Sequence, residues 1–162
     1  MPLKRAPRLR SFDYLGPHRY SVTICVERRE HVFVSEMTVG PVRTHLARTS
    51  TGEDVAVIAY CFMPDHLHLL VEVVSDGADF RNFMRLFKQA SSYHWKLRHG
   101  RELWQRSYFD HVLRDDEDTI AVARYILGNP VRAGLVSSPD DYPFLGSMTM
   151  DLQDLLYSVT KY

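Results

Sequence analysis

Hydrophobic and polar positions alternate through residues 19–27, and the run is rich in β-branched side chains, so it predicts a strand. Two further apolar runs, 54–61 and 66–74, are broken only by Met63-Pro64-Asp65 and predict an antiparallel hairpin. Between the first strand and this hairpin, residues 37–50 place Val42 and Leu46 at helical spacing beside Arg43, and Thr49-Ser-Thr-Gly52 closes the segment with turn chemistry. After Ser75-Asp-Gly77 the period changes. Phe80, Phe83, Met84, Phe87, Ala90 and Ser91 recur as on one helical face, which predicts a helix running to about Leu97 with Gly100 as its stop. Residues 103–110 are aromatic and partly irregular, and 110–114 read as a short strand. The acidic run 115–118 suits a helix N-terminus, and the helix it opens spans 119–128 with Pro130 as its stop. Residues 1–18 form an irregular basic arm, and the tail from 137 is polar, with a weak helix near 152–157.

The order strand, helix, strand, strand, helix, short strand, helix is the β-α-β-β-α-β pattern of a ferredoxin-like α+β sandwich. The expected architecture is an antiparallel sheet with helices on one face and the active site on the other sheet surface. Neither repeats nor low-complexity segments divide the chain, so residues 1–162 read as a single domain. Hydrophobic residues at 45% and charged residues at 25% exclude a disordered chain. No apolar run approaches the roughly 20 residues of a membrane span, and the basic N-terminus lacks a signal peptide's apolar region. Cys25 and Cys61 lie inside apolar runs and read as buried thiols in a reducing compartment, so a cytoplasmic protein is expected, with no membrane partner.

Net charge is zero, but its distribution is not uniform. Residues 1–29 carry Lys4, Arg5, Arg8, Arg10, Arg19, Arg28 and Arg29 against Asp13 and Glu27. Residues 81–106 carry Arg81, Arg85, Lys88, Lys96, Arg98, Arg101 and Arg106 against Glu102 alone. The cations are 16 Arg to 4 Lys, and Arg forks onto phosphate and stacks on bases as Lys does not. A zero sum therefore hides basic stretches that suit a phosphate backbone, or equally a solvated surface that prefers Arg.

His66 and His68 are the sharpest chemical feature. Residues two apart on a strand point to one face, so the two imidazoles can converge on one metal ion. A solvent-facing or core pair fits the same spacing, although a polar pair inside an apolar strand needs partners. Tyr125 and Asn129 are four apart and share a helical face, from which a phenol and an amide oxygen can meet the histidines. A packing tyrosine and a helix-terminal asparagine explain the same spacing.

Several segments together carry a family resemblance: Phe12-Asp-Tyr14, Tyr20-Ser-Val-Thr-Ile-Cys25, Phe62-Met-Pro-Asp-His-Leu-His-Leu-Leu-Val71, Leu103-Trp-Gln-Arg106, Tyr108-Phe-Asp-His111 and Arg124-Tyr-Ile-Leu-Gly-Asn-Pro-Val-Arg-Ala-Gly134. In this order, over about residues 5–145, the chain resembles the REP-associated tyrosine transposases, within the HUH single-tyrosine transposases and nucleases. The resemblance implies that His66 and His68 bind a divalent metal, that Tyr125 is the nucleophile, and that Asn129 helps hold the ion. Mg²⁺ or Mn²⁺ is the expected cofactor, since imidazole with oxygen ligands accepts either, although the same set also takes Zn²⁺. The implied reaction is nicking and joining of single-stranded or hairpin DNA through a 5′-phosphotyrosine, by a monomer or homodimer. The DNA-binding candidates are Arg8, Arg10, Arg81, Arg85, Lys88 and Arg106, with Trp104 as a base-stacking aromatic, although a core position explains Trp104 as well. Two other readings use the same platform: a nucleic-acid-binding regulator without turnover, and a metal hydrolase that activates water.

Overall fold

The structure, a computed structural model, describes residues 12–114 and 119–160. The arm residues Arg5, Arg8 and Arg10 and the acidic run 115–118 lie outside these described residues. Strands β1 (Arg19–Cys25), β2 (Val55–Met63), β3 (His66–Val73), β4 (Phe109–Val112) and β5 (Leu145–Gly146) pair antiparallel into an open sheet of order β4-β1-β3-β2-β5. The helices are α1 (Glu36–Gly52), α2 (Phe80–His99), α3 (Thr119–Leu127), the short α4 (Asn129–Arg132) and α5 (Leu152–Thr160). Along the chain, β1, α1, β2, β3, α2 and β4 follow the expected β-α-β-β-α-β succession, and β5 adds an edge that the two-residue pattern of Leu145-Gly146 does not announce.

Strand alternation sorts the side chains onto two faces. Tyr20, Val22 and Ile24 of β1 and Leu67, Leu69 and Val71 of β3 are buried on one face under Val42 and Leu46 of α1 and Phe83 and Phe87 of α2. Tyr20 stacks on Phe80 with ring centroids 3.8 Å apart. Each such aromatic contributes roughly 1.5–3 kcal/mol through burial. The α2 helix starts where the Asp79 side chain accepts from the backbone N–H groups of Arg81 and Asn82, and ends at Gly100 in the left-handed region (φ 70°).

The other face carries Thr23, Cys25, His66, His68 and Leu70, with Ala59, Cys61 and Met63 from β2. Helices were expected on one face only; they occupy both. Ala123, Ile126 and Leu127 of α3 and Leu155, Leu156 and Val159 of α5 pack with Leu70, Cys61 and Met63. The reason is the apolar side of α3, which needs cover, and the apolar positions that the hairpin itself turns toward this face. Helix α3 thus sits on the histidine face. Pro130 does not stop the chain's helical course. It falls in the first turn of α4, where its missing N–H costs nothing, and Gly134 (φ 72°) follows the end of that helix. Both cysteines are buried and free, as their apolar surroundings predict. Among the described residues no helix is long and apolar enough to cross a membrane.

Candidate functional site

The hairpin turn that leads into His66 is held from outside. Val26 N–H donates to the Asp65 carbonyl at 2.9 Å, and Val32 and Phe33 donate to the Pro64 carbonyl at 2.9 and 3.0 Å. The loop that does this passes through Arg28 and Arg29, both left-handed (φ 55°), a backbone state that costs a non-glycine residue energy. The curl lets Arg29 reach back. Its Nε donates to Asp65 Oδ2 at 2.8 Å and its Nη1 to Cys25 Sγ at 2.7 Å.

Asp65 in turn accepts from His66 Nδ1 at 2.6 Å. Burial works to raise the Asp65 carboxyl, but the hydrogen bonds and charges of His66 and Arg29 outweigh it and hold the group below its ordinary range. An ionised carboxylate only accepts, so the His66 proton sits on Nδ1 and the Nε2 lone pair faces inward. His68 Nδ1 lies 3.1 Å from the hydroxyl of Thr23, its register partner on β1. Thr23 Oγ1 can accept from or donate to Nδ1; in the accepting arrangement, the one a bound cation would select, His68 too presents its Nε2 lone pair. The two Nε2 atoms are 3.0 Å apart. Two cis ligands of an octahedral ion with bonds of roughly 2.1 Å stand about 3.0 Å apart, so the pair fits a divalent cation.

Burial lowers both imidazoles, and for His68 burial first and then the charges of His66, Arg132 and Arg29 together bring it to about 3. Neutral imidazole is the ligand form. Among the described residues no three His, Cys, Asp or Glu side chains gather as a ligand cluster, so further donors have to be amide, water or substrate oxygens.

Tyr125 is the exposed large hydrophobic residue of α3, with 61% of its surface accessible while its neighbours Ile126 and Leu127 are buried on the sheet. Its hydroxyl has no hydrogen-bond partner among the described residues. The Arg132 guanidinium lies 4.0 Å from its ring centroid. Asn129 turns its amide N–H to the Ile126 carbonyl at 3.2 Å, and its Oδ1 accepts from Arg132 at 2.8 Å. The histidines and the tyrosine helix therefore share one sheet face, while the amide oxygen of Asn129 is taken up by Arg132.

Arg81, Arg85, Lys88 and Arg106 line one open depression of about 320 Å³ together with Tyr108. Lys88 fixes the Gln105–Arg106 backbone by donating to both carbonyls, at 2.8 and 3.0 Å. Trp104 does not belong with them. It is 5% exposed, packs on Phe33 and Phe87, and donates its indole N–H to Ser91 at 2.9 Å. Its role as a base-stacking aromatic is corrected to core, because a buried, hydrogen-bonded indole has no face left for a base. Sequence reasoning passed over Thr23, Arg29 and Arg132. Thr23 was legible as the β1 residue alternating onto the histidine face, whereas the fold-back of Arg132 has no local signal in the sequence.

A family model for IS200-like transposases matches residues 16–129. A provisionally named REP-associated tyrosine transposase of Haemophilus influenzae is 27% identical over 156 residues, covering 90% of this chain and 88% of the relative. The REP-associated tyrosine transposase of Escherichia coli K12 is 28% identical over 86 residues, 53% of this chain and 50% of that protein. Among solved structures, a REP-associated tyrosine transposase bound to a REP hairpin superimposes with a TM-score of 0.70 at 21% identity, covering 83% of this chain and 79% of the other.

Proposed function

The chain belongs to the IS200-like transposase family, and from that premise we propose that it is a metal-dependent endonuclease and strand transferase. Its substrate is single-stranded, hairpin-bearing DNA, cut through a 5′-phosphotyrosine on Tyr125. The observation that carries this reading is the pair of Nε2 atoms converging at 3.0 Å on the face where α3 presents Tyr125. The hairpin held by the solved relative and the basic depression around Lys88 support DNA as the partner.

His66 and His68 would hold a Mg²⁺ or Mn²⁺ ion, with Asn129 as a further oxygen donor. Such an ion, when bound, supplies Lewis-acid polarisation of the scissile phosphate. The chain's own residues do the rest. Asp65 and Thr23 hold the imidazole tautomers. The Tyr125 oxygen bonds to phosphorus as the bond from phosphorus to the 3′ oxygen breaks, and that oxygen leaves as a 3′-hydroxyl. The phosphotyrosine conserves the ester, so a second 3′-hydroxyl can rejoin the strand without ATP. The 61% exposure of Tyr125 leaves its hydroxyl open to a strand laid across the site.

The test is a hairpin-bearing single strand labelled at its 3′ end, incubated with protein and Mn²⁺ and run on a denaturing gel. The expected result is a labelled covalent adduct with the native chain. Tyr125→Phe keeps the ring and the binding but forms none. Cleavage by Tyr125→Phe removes the nucleophile assignment. Binding without adduct by the native chain makes the protein a nucleic-acid-binding regulator on this platform, and cleavage without adduct makes it a hydrolase.

A further inference from the structure

One guanidinium touches both Tyr125 of α3 and Asn129 of α4, the two residues of this region that the proposed reaction uses. Arg132 folds back along α3 and lies over the Tyr125 ring at 4.0 Å. Its Nη2 donates to the Tyr125 carbonyl and, at 2.8 Å, to Asn129 Oδ1. Its charge is felt at His68 and at Cys61 beneath. Gly128 makes room for the fold-back: a Cβ there would stand 2.7 Å from Arg132 Nη1. The backbone of Gly128 is ordinary right-handed helix (φ −80°), so the absent side chain serves this passage and not a turn.

We propose that Arg132 is a positioning residue that makes completion of the metal site depend on arrival of the DNA phosphate. This rests on the reading of the site given above. In the free chain the guanidinium occupies the oxygen that Asn129 would offer the ion, and its charge repels a cation at the histidines. A phosphate is the better partner for the fork, since charge-assisted bidentate bonds are roughly twice as strong as those to a neutral oxygen. When the strand arrives, Arg132 passes from amide to phosphate, its charge is neutralised, and Asn129 Oδ1 is released. Metal and DNA then strengthen each other's binding by one and the same factor.

The experiment measures Mn²⁺ affinity by calorimetry, with and without a hairpin-bearing single strand, in a Tyr125→Phe parent that forms no adduct. DNA is expected to tighten Mn²⁺ binding by about tenfold in the parent. Arg132→Gln is expected to bind Mn²⁺ several-fold more tightly without DNA and to gain less when DNA is added. Gly128→Ala, which displaces the guanidinium while leaving its chemistry intact, moves the free-chain affinity in the same direction. Adding Asn129→Ala to Arg132→Gln cuts the gain to the part that the lost charge alone supplies. Arg132 is exposed, so none of this opens a core cavity, and thermal melts confirm folding. Mn²⁺ binding by Arg132→Gln that is no tighter than the parent's overturns the proposal, because a packing role never improves metal affinity. A gain left undiminished by Asn129→Ala reduces Arg132 to a bystander charge and also overturns it. A parent that binds no Mn²⁺ even with DNA present removes the metal reading itself, a different failure.

Discussion

Removing the Asp65 carboxylate tests whether the histidine pair is a built ligand site. The carboxylate accepts from His66 Nδ1 at 2.6 Å and from Arg29 Nε at 2.8 Å. The Arg29 side chain is 47% exposed, so water screens that bond and its loss costs little. The bond to His66 is less exposed, at 17% for the imidazole, and it fixes the tautomer that presents Nε2. A hydrogen bond to a charged group contributes about 1.5–3 kcal/mol, and about 1.4 kcal/mol is a factor of ten. Asp65→Ala therefore lowers Mn²⁺ affinity roughly ten- to hundredfold, the range measured for outer partners of metal-binding histidines. Asp65→Asn is milder. Its amide oxygen still accepts from His66, while its N–H₂ faces Arg29 as donor against donor, so only the charge assistance and the screened bond are lost. A loss of about three- to tenfold is expected, on the scale of a neutral bond's net worth. Calorimetric titration of Mn²⁺ into the three proteins, with circular dichroism as the folding check, gives the order native, Asn, Ala. Equal affinity in Asp65→Ala would show that His66 needs no outer partner and that the 2.6 Å contact is incidental.

Replacing Arg81, Arg85 and Arg106 together by Gln should weaken binding of a hairpin-bearing single strand and lower the slope of log affinity against log salt by about two, at roughly 0.7 per phosphate contact; an unchanged slope means the depression faces no DNA. In the metal-free chain, stability should fall as pH drops from about 6.5 toward 3, because the unfolded chain takes up a proton that folded His68 refuses in that window. Denaturant melts of His68→Gln across this range, with chelator present, should show a slope smaller by up to about 1.4 kcal/mol per pH unit; equal slopes would show that His68 titrates normally in the fold.

The sequence made the strand and helix order legible because period-2 and period-3.6 patterns are local, and the core-forming runs around Val22, Leu69 and Phe83 keep those periods cleanly. The histidine pair was legible for the same reason, since alternation alone puts His66 and His68 on one side. What alternation does not give is which helices cover which face. That depends on where the apolar stripe of α3 finds a match, and Leu70, Cys61 and Met63 supply it on the histidine side. Trp104 stayed open between stacking platform and core because a Trp beside arginines fits both, and its burial follows from a long-range partner, Ser91, that no local pattern announces. Pro130 misled because its missing N–H matters only where a helix already needs that donor, and α4 begins there. Arg132 escaped because a side chain folding back over a glycine is a tertiary event, visible only when Gly128 is asked what a Cβ there would meet.

The composition of the site bears on why so few ligands gather in it. Among the described residues the nearest carboxylate to the histidines is kept one step back, bonded to Nδ1 and neutralised by Arg29. A carboxylate placed directly on an ion would tighten it at all times, but it would also cancel part of the charge that polarises a phosphate and would repel that phosphate from the face. In the proposed site, neutral imidazoles and an amide would leave the full charge of the ion directed at the substrate. The expected consequence is weak binding without DNA, the condition under which the one exposed arginine of α4 would govern whether the ion site is complete. The proposed strand transferase would benefit, because a metal site finished only by its own substrate would leave Tyr125 idle toward every other phosphodiester.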